Sequence, residues 1–339
     1  MERIAIVMSH ASRSMGGAVR DVHLAAGFRA RGVDARLYRI HAGTEVEEDR
    51  MLGVPLTFCP SDNPDEIPHR QTSAALRAAV AAFAPDAVLY KGLGYRVNAD
   101  LQAGLPERVR IGLVVGGAVQ DPLLPRASLV LGEYREQLAR CFLPLWRAGR
   151  ALVLPKHVDL ALAGSGVPPE APEFDIVNVG TFAEPRKNQA ALLPLAERHS
   201  VAFVGAGPLL AAQRRQTRGR HKAHYLGRLP HPEVFGVLRR SAIMVHASTM
   251  DGLPRATVEA MACGLPVVAL HATIDGGIPP TAGLLVSPEG LRPAAELLLA
   301  DPALRLRMGR AARRHVETHH GPRAIDAAAE RALGVLRGG

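Results

Sequence analysis

Short apolar runs of strand length alternate with helical patterns from one end of the chain to the other. In the first half these runs are Arg3–Met8, Ala35–Ile40, Ala87–Tyr90, Arg110–Val115 and Ala151–Leu154. The segments between them predict helices near Gly17–Arg31, His69–Phe83 and Glu133–Arg140. Because strands that alternate with helices form parallel sheets covered by helices, the pattern predicts an α/β fold with doubly wound sheets.

The length of 339 residues is too great for one ordinary core and predicts two domains. A glycine- and proline-rich stretch, "AGSGVPPEAPEF", indicates a linker, after which the alternation restarts at "DIVNVG". We predict a first domain over residues 1–155, a linker over 156–172, a second domain over 173–320 and a carboxyl-terminal helix over 321–339. Packing of that helix back on the first domain is one option. Ligands of such sheets bind beyond the carboxyl ends of the strands, so we expect the site in a cleft between the domains.

A net charge of +9 and a pI near 10.1 raise the question of nucleic-acid binding. Only four of the 41 basic residues are lysines, and the arginines are spread along the whole chain. Aromatic residues make up 4% of the chain, so platforms for stacking on bases are not expected. The composition therefore argues against a nucleic-acid partner and leaves anionic small molecules and an anionic membrane surface as the open alternatives.

Two further features bear on the compartment. Cys59, Cys141 and Cys263 have no metal-ligand spacing and cannot all pair, as expected for a cytoplasmic protein, and no apolar run is long enough to cross a bilayer. The segment "YREQLARCFLPLWRAGR" (134–150) combines arginines with Trp146. It indicates either peripheral contact with the inner face of a membrane or a helix facing the core, and we favour the second.

The stretch "TMDGLPRATVEAMACGLPVVAL" (249–270) carries two acids, Asp251 and Glu259. Pro254 is suited to the first turn of a helix, which places Asp251 in the preceding loop and Glu259 in the second turn. Because helical side chains lean toward the amino terminus, Glu259 should point back toward that loop. The two carboxylates and the N–H groups of Gly252 and Leu253 would then line one pocket, suited to the hydroxyls and phosphate of a nucleotide sugar.

A simpler interpretation of the same stretch stays open. Asp251 could cap the helix, and Arg255 and Glu259, four positions apart, could form an exposed ion pair. Such pairs are common on helices.

Three further loops follow predicted strands. "VGTFAEPRKNQ" (179–189) places Arg186 and Lys187 after a strand and at the start of a predicted helix, which suits a diphosphate or is a solvated basic turn. Gly16–Gly17, which opens the first helix, allows backbone N–H groups to approach an anion or forms a simple tight turn. "LGRLPHPEV" (226–234), with Gly227 and Arg228, is a strand-end loop at the level of the second domain's site, or a packing turn.

These motifs, in this order, resemble retaining glycosyltransferases of family 4, which have the GT-B fold. "SRSMGGAVRDVHLAAGFRARGVDARLY" is similar to the family's Gly-Gly loop and first helix, and "ALVLPKHVDL" to its strand into the linker. "VGTFAEPRKNQ" is similar to its phosphate loop, and "DGLPRATVEAMACGLPVVA" to its Glu-x7-Glu signature. The match covers nearly all of the second domain and the beginning of the first. It implies two doubly wound, Rossmann-like domains that face each other across a cleft.

The resemblance also implies roles for single residues. Lys187, with Arg186, would neutralise the leaving diphosphate, and Asp251 would hold hydroxyls of the donor sugar. Glu259 would bind the ribose hydroxyls. The other implied donor-binding positions are the Gly16–Gly17 loop, the Gly252–Leu253 backbone, and Gly227 and Arg228 near the base.

Three positions depart from the family pattern. Asp251 stands where the family has glutamate, and Thr181 stands where many members have a phosphate-binding arginine, for which Arg186 could substitute. Gly116–Gly117 occupy a region of the first domain where many members have a histidine.

The function implied is transfer of a hexose, with retention, from a nucleotide-diphosphate sugar to a hydroxyl of a natural-product, glycan or lipid-linked acceptor. The sequence has no Asp-x-Asp motif and no His/Cys cluster, so we expect catalysis without a metal ion or other cofactor. Two alternatives remain: a GT-B nucleotide-sugar epimerase or hydrolase, and a sugar-nucleotide-binding protein without catalysis.

Overall fold

The chain folds into two compact units, Met1–His157 with Pro322–Gly339, and Val158–Gly321. The computed structural model describes residues 1–9, 19–116, 119–167, 170–219, 222–271 and 277–338. Each unit is a mainly parallel sheet covered by helices, which confirms the predicted fold class.

Unit 1 is built on an eight-stranded sheet with the strand order β3-β4-β2-β1-β5-β6-β7-β8. All neighbouring strands are parallel except β3 and β4. The strands are β1 (Arg3–Met8), β2 (Asp34–His41), β3 (Glu47–Met51), β4 (Val54–Pro60), β5 (Ala87–Lys91), β6 (Arg110–Val114), β7 (Ala127–Gly132) and β8 (Ala151–Val153). The helices are α1 (Val19–Arg29), α2 (Ala74–Phe83), α3 (Arg96–Ala103), α4 (Arg135–Cys141), α5 (Leu143–Arg147) and, from the end of the chain, α12 (Pro322–Arg337).

Helix α12 completes the core of unit 1. Its apolar face, including Ile325 and Leu333, joins one buried cluster with Phe28 of α1 and residues of the central strands. At the rim, Arg31 makes a bidentate ion pair with Asp326, at 2.6 Å (Nη1–Oδ1) and 3.0 Å (Nη2–Oδ2).

Unit 1 differs from the sequence prediction in several places, among them helix α3, which was not predicted. Strands β3, β4 and β7 were not predicted, and β3 could not have been, because this charged edge strand is exposed almost throughout and has no alternating pattern. The helix predicted over His69–Phe83 begins only at Ala74. Ser73 is extended there and caps the helix, since its Oγ accepts a hydrogen bond from the Leu76 N–H at 3.1 Å.

The segment considered for membrane contact forms two short helices, α4 and α5, separated at Phe142. Trp146 packs partly buried against the core, and the guanidinium of Arg135 lies 5.7 Å from its ring centre. Peripheral membrane contact stays a prediction. Within the part of the chain that the structure describes, no helix combines the length and the apolar character needed to cross a membrane.

Unit 2 is built on a six-stranded parallel sheet with the order β11-β10-β9-β12-β13-β14. The strands are β9 (Phe174–Val179), β10 (Val201–Val204), β11 (Ala223–Gly227), β12 (Ser241–His246), β13 (Val267–Leu270) and β14 (Gly283–Val286). The helices are α6 (Leu160–Ala163), α7 (Leu209–Gln216), α8 (His231–Leu238), α9 (Arg255–Ala262), α10 (Leu291–Ala300) and α11 (Pro302–His319).

The helix predicted after β9 is not an α-helix. This connection consists of three 3-10 turns, Pro185–Lys187, Gln189–Leu192 and Leu195–Glu197. The positive charge at this loop therefore comes from its side chains rather than from an aligned α-helix dipole.

Candidate functional site

The site of unit 2 lies where two neighbouring parallel strands, β9 and β12, end. The loop after β9 carries Arg186 and Lys187, and the loop after β12 carries Asp251. The loops are joined through the Arg186 carbonyl, which accepts hydrogen bonds from the Thr249 N–H at 2.8 Å and the Ser248 hydroxyl at 3.1 Å. Adjacent strands and these bonds bring together side chains that are more than sixty positions apart in sequence.

Asp251 is the centre of a charged cluster. Lys187 Nζ donates to both carboxylate oxygens, at 2.9 Å (Oδ1) and 2.8 Å (Oδ2). Arg186 Nη1 lies 2.7 Å from Oδ1, and His246 Nε2 lies 3.1 Å from Oδ2. The structure therefore brings together all three residues predicted to be catalytic, Lys187, Arg186 and Asp251.

The ionisation of Asp251 follows from these contacts. Burial acts to raise its pKa, but hydrogen bonds from His246 and Lys187 oppose burial and hold the pKa well below its usual range. Asp251 is therefore a carboxylate at neutral pH, and it carries the negative charge that balances the cations around it.

The two cations keep different exposure to solvent. The Lys187 side chain is 15% exposed and that of Arg186 is 34% exposed. Arg186 also forms an ion pair with Glu184. Both cations are thus partly exposed, and Lys187 is the more desolvated of the two.

Gly205 allows the loop after β10 to pack against the loop after β9. Gly205, just after β10, has φ near 143°, and a Cβ added there would lie 1.8 Å from the carbonyl oxygen of Gly180. Only glycine permits this approach to the loop that carries Lys187. The stretch "VGAGP" (204–208), which contains Gly205, is thus a packing element of the site.

Glu259 lies in the second turn of α9, as predicted, with its side chain buried at 5% exposure. Its Oε1 is 2.8 Å from His231 Nε2 and 3.3 Å from Arg255 Nε. The Arg255–Glu259 pair considered as an alternative is present, but its carboxylate is buried rather than exposed. Pro254 is the residue before the helix and not part of its first turn, a shift of one position.

Helix α9 ends at Ala262, and a glycine follows its carboxyl end. Gly264 has φ near 80°, and its N–H donates to the Met261 carbonyl at 3.0 Å while the Leu265 N–H donates to the Ala260 carbonyl at 3.0 Å. This short ending leads directly into β13.

The remaining predicted donor-binding positions lie around these two clusters. Leu253 is buried and Gly252 half-buried, between Asp251 and α9. Gly227 ends β11 with φ near 71°, its carbonyl accepts the Gly205 N–H at 2.7 Å, and Arg228 is exposed. Gly16 and Gly17 lie outside the described residues.

Two of the positions that depart from the family pattern, Thr181 and Gly116, make hydrogen bonds in the structure. The Thr181 hydroxyl accepts the Ala183 N–H at 3.2 Å and so shapes the loop. The Gly116 carbonyl accepts a hydrogen bond from Gln137 Nε2 at 2.7 Å, and Gly117 lies outside the described residues.

Two histidines of the site were missed by the sequence analysis. His246 is the last residue of β12 and 5% exposed, and His231 is the first residue of α8. A histidine at the end of an apolar strand, five positions before Asp251, was the available signal for His246. In the described ranges, no three His, Cys, Asp or Glu side chains gather into a metal-ligating group.

A family model described as "Glycosyl transferases group 1" matches residues 173–301, within unit 2. A relative of known annotation, the GDP-mannose-dependent monoacylated alpha-(1-6)-phosphatidylinositol monomannoside mannosyltransferase of Corynebacterium glutamicum, is 32% identical over 155 residues. That match covers 39% of this chain and 40% of the relative, so less than half of the relative is matched.

Similar solved structures cover the whole chain. Sucrose-phosphate synthase from Thermosynechococcus elongatus has a TM-score of 0.76 at 18% identity and covers 100% of both chains. HepE of Anabaena, solved in complex with UDP, has a TM-score of 0.70 at 17% identity and covers 98% of this chain and 100% of its own. These likenesses show the GT-B fold, and residues 173–301 of unit 2 match the glycosyl transferases group 1 model.

Proposed function

We propose that the protein is a retaining hexosyltransferase that moves a sugar from a nucleotide-diphosphate donor to an acceptor hydroxyl without a metal ion. The observation that carries this proposal is the cluster of Arg186, Lys187 and Asp251 at the ends of β9 and β12. It lies within the residues that match the family model. The names of similar proteins support the donor class: HepE was solved with UDP and with UDP-glucose, and the curated relative is GDP-mannose-dependent.

The diphosphate of the donor would bind to Lys187 and Arg186. Asp251 pairs with both cations. A diphosphate brings more negative charge and shares these cations, so that the Asp251 oxygens become available to accept hydrogen bonds from sugar hydroxyls. The donor would therefore replace an internal counter-ion rather than enter an uncompensated positive site.

Glu259 would accept hydrogen bonds from the ribose hydroxyls near the amino-terminal end of α9. Its carboxylate is already buried and hydrogen-bonded to His231, so it is positioned before the donor arrives. The N–H groups of Gly252 and Leu253 would contact sugar or phosphate, and Gly227 and Arg228 would lie toward the base.

Transfer with retention then requires no strong protein nucleophile. The bond from the anomeric carbon to the leaving phosphate oxygen breaks, and the acceptor oxygen attaches from the same face. The leaving phosphate takes the proton of the acceptor hydroxyl. The enzyme supplies position and charge, chiefly from Lys187 and Arg186 on the departing diphosphate.

The first test is a thermal-shift screen with UDP-, GDP-, ADP- and TDP-sugars on the wild type and on Glu259→Gln. A ligand at about a hundred times its dissociation constant adds roughly 2.7 kcal/mol, enough to raise Tm by several degrees. We expect one nucleotide to raise the wild-type Tm and to lose most of that effect in Glu259→Gln, because the neutral amide is a weaker acceptor for two ribose hydroxyls.

Absence of any nucleotide-dependent shift from the folded wild type would contradict the donor site. Release of nucleoside diphosphate at the same rate with and without every acceptor would favour the hydrolase or epimerase alternative. A shift without turnover across acceptors would favour the non-catalytic binder.

Removal of metal ions tests the charge argument directly. Because Lys187 and Arg186 would neutralise the diphosphate, we expect activity to be unchanged after dialysis against EDTA and unchanged on adding Mg²⁺ or Mn²⁺. The rate of nucleoside diphosphate release in the presence of acceptor is the measurement. Loss of activity with EDTA, restored by either ion, would show that the two cations do not suffice.

A further inference from the structure

Unit 1 contains buried and half-buried charged side chains near the carboxyl ends of its strands. Arg20 and Asp21 lie in the first turn of α1, and Lys91 is the last residue of β5. Glu133 directly follows β7, and Lys156 follows β8. Ligands of doubly wound sheets bind at this edge.

Arg20 lies between the two acids. Its Nε is 3.9 Å from Asp21 Oδ1 and its Nη1 is 3.7 Å from Glu133 Oε1. Each acid has a lysine as its hydrogen-bonding partner, Lys91 on Asp21 and Lys156 on Glu133. These groups form one connected network.

Three cations and two carboxylates meet in this network, and we call Arg20, Asp21, Lys91, Glu133 and Lys156 the unit 1 charge cluster. Burial of a guanidinium is unfavourable unless hydrogen-bond acceptors join it, and an anion would supply them.

Two observations indicate where an anion would bind. The Arg20 side chain is 8% exposed, and its Nη1 has no hydrogen-bond acceptor among the described residues. Lys91 and Lys156 keep 25% and 22% exposure, so the cluster is open to solvent. Burial, and repulsion from Arg20, lower the pKa values of both lysines, an effect that a bound anion would oppose.

We propose that the unit 1 charge cluster binds a phosphate group of the acceptor, an inference that rests on the proposed glycosyl transfer. A phosphate monoester carries up to two negative charges and several acceptor oxygens, which suits the net positive charge of the cluster. The Arg20 guanidinium supplies forked hydrogen bonds, and the lysines supply point charges. The acceptor class is therefore a phosphorylated compound, either free or lipid-linked.

The test is calorimetric titration of the intact protein with sn-glycerol 3-phosphate, and with glycerol as the uncharged control. The Lys187→Gln background removes the main phosphate contact of unit 2. In that background we expect Lys156→Gln to weaken binding about ten- to hundredfold, as for loss of one charge-assisted hydrogen bond. Glu133→Gln, the matched variant, should tighten binding because it removes a negative charge beside the phosphate.

The opposite effects expected for Lys156→Gln and Glu133→Gln on the affinity for glycerol phosphate distinguish a binding site from a network that only stabilises the fold. If Lys156→Gln and Glu133→Gln both weaken binding, or if neither changes it, the inference is overturned. Absence of binding to the Lys187→Gln protein overturns it as well. Unfolding cannot imitate the expected result, because it cannot tighten binding in Glu133→Gln.

Two further measurements complete the design. Co-sedimentation with phosphatidic acid vesicles, against phosphatidylcholine vesicles, shows whether a lipid carries the phosphate. If it does, Lys156→Gln should reduce and Glu133→Gln should increase the fraction of protein that sediments with phosphatidic acid. The nucleotide-dependent Tm shift of proteins with intact Lys187 is measured in parallel. If that shift is present and glycerol phosphate does not bind, this inference fails while the proposed function stands; absence of the shift counts against the proposed function instead.

Discussion

Replacement of Lys187 by glutamine is expected to lower kcat about 10²- to 10³-fold, the range found when one donor to a developing negative charge is removed. Lys187 is the more desolvated of the two cations on Asp251, with 15% exposure against 34% for Arg186. Because a charge in a drier environment acts more strongly on a departing diphosphate, Arg186→Gln should cost less. The measurement is the initial rate of nucleoside diphosphate release at saturating donor and acceptor.

The matched control is Lys222→Gln, in the same unit. Lys222 is exposed and donates to the Arg198 carbonyl, away from the cluster of Asp251. Its replacement should leave kcat unchanged. A loss of less than tenfold in Lys187→Gln, or an equal loss in Lys222→Gln, would remove Lys187 from its proposed role.

Replacement of Asp251 by asparagine is expected to lower the free energy of unfolding by about 3 kcal/mol, because it leaves the partly buried cations Lys187 and Arg186 without their counter-charge. For a unit of this size that corresponds to a fall in Tm of roughly 6 to 12 °C. Activity should fall as well, since an amide is a weaker acceptor for sugar hydroxyls. Asp251→Glu, which keeps the charge, should retain more stability than Asp251→Asn.

The effect of Asp251 on stability depends on pH with a defined sign. The pKa of Asp251 is lowered in the folded protein, so its contribution is fully present above its unfolded pKa of about 3.9 and is lost as pH falls toward the folded value. Denaturant unfolding at several pH values should therefore give a constant difference between wild type and Asp251→Asn from about pH 7 to 5. The difference should shrink below about pH 4, and an undiminished difference at about pH 3 would contradict this account.

Much of the fold could be predicted from local patterns. β1 has the predicted bounds, Arg3–Met8, because a buried central strand is apolar along nearly its whole length. β3 escaped prediction because an exposed edge strand of charged residues carries no such signal. The start of α2 was misjudged by several residues because the cap at Ser73 depends on one side-chain rotamer.

The candidate site could be predicted in part, because some of its residues also follow local sequence patterns. Loop chemistry placed Lys187, Arg186 and Asp251 at strand ends, and helical periodicity placed Glu259 in the second turn of α9. His246 was overlooked, since a histidine that ends an apolar strand has no local pattern that distinguishes it from a packing residue.

The sequence by itself determined the alternation of strands and helices, the break between two α/β regions and the motifs at the strand ends, because each of these is set by residues close together in the chain. Only the tertiary structure decided which charges meet. Asp251 reaches Lys187 because β12 lies beside β9. Arg20 lies between Asp21 and Glu133 because the start of α1 and the residue after β7 both lie near the carboxyl ends of the strands of one sheet. Neutralisation of a buried charge depends on distances of a few ångströms between segments far apart in sequence, and no local pattern specifies those distances.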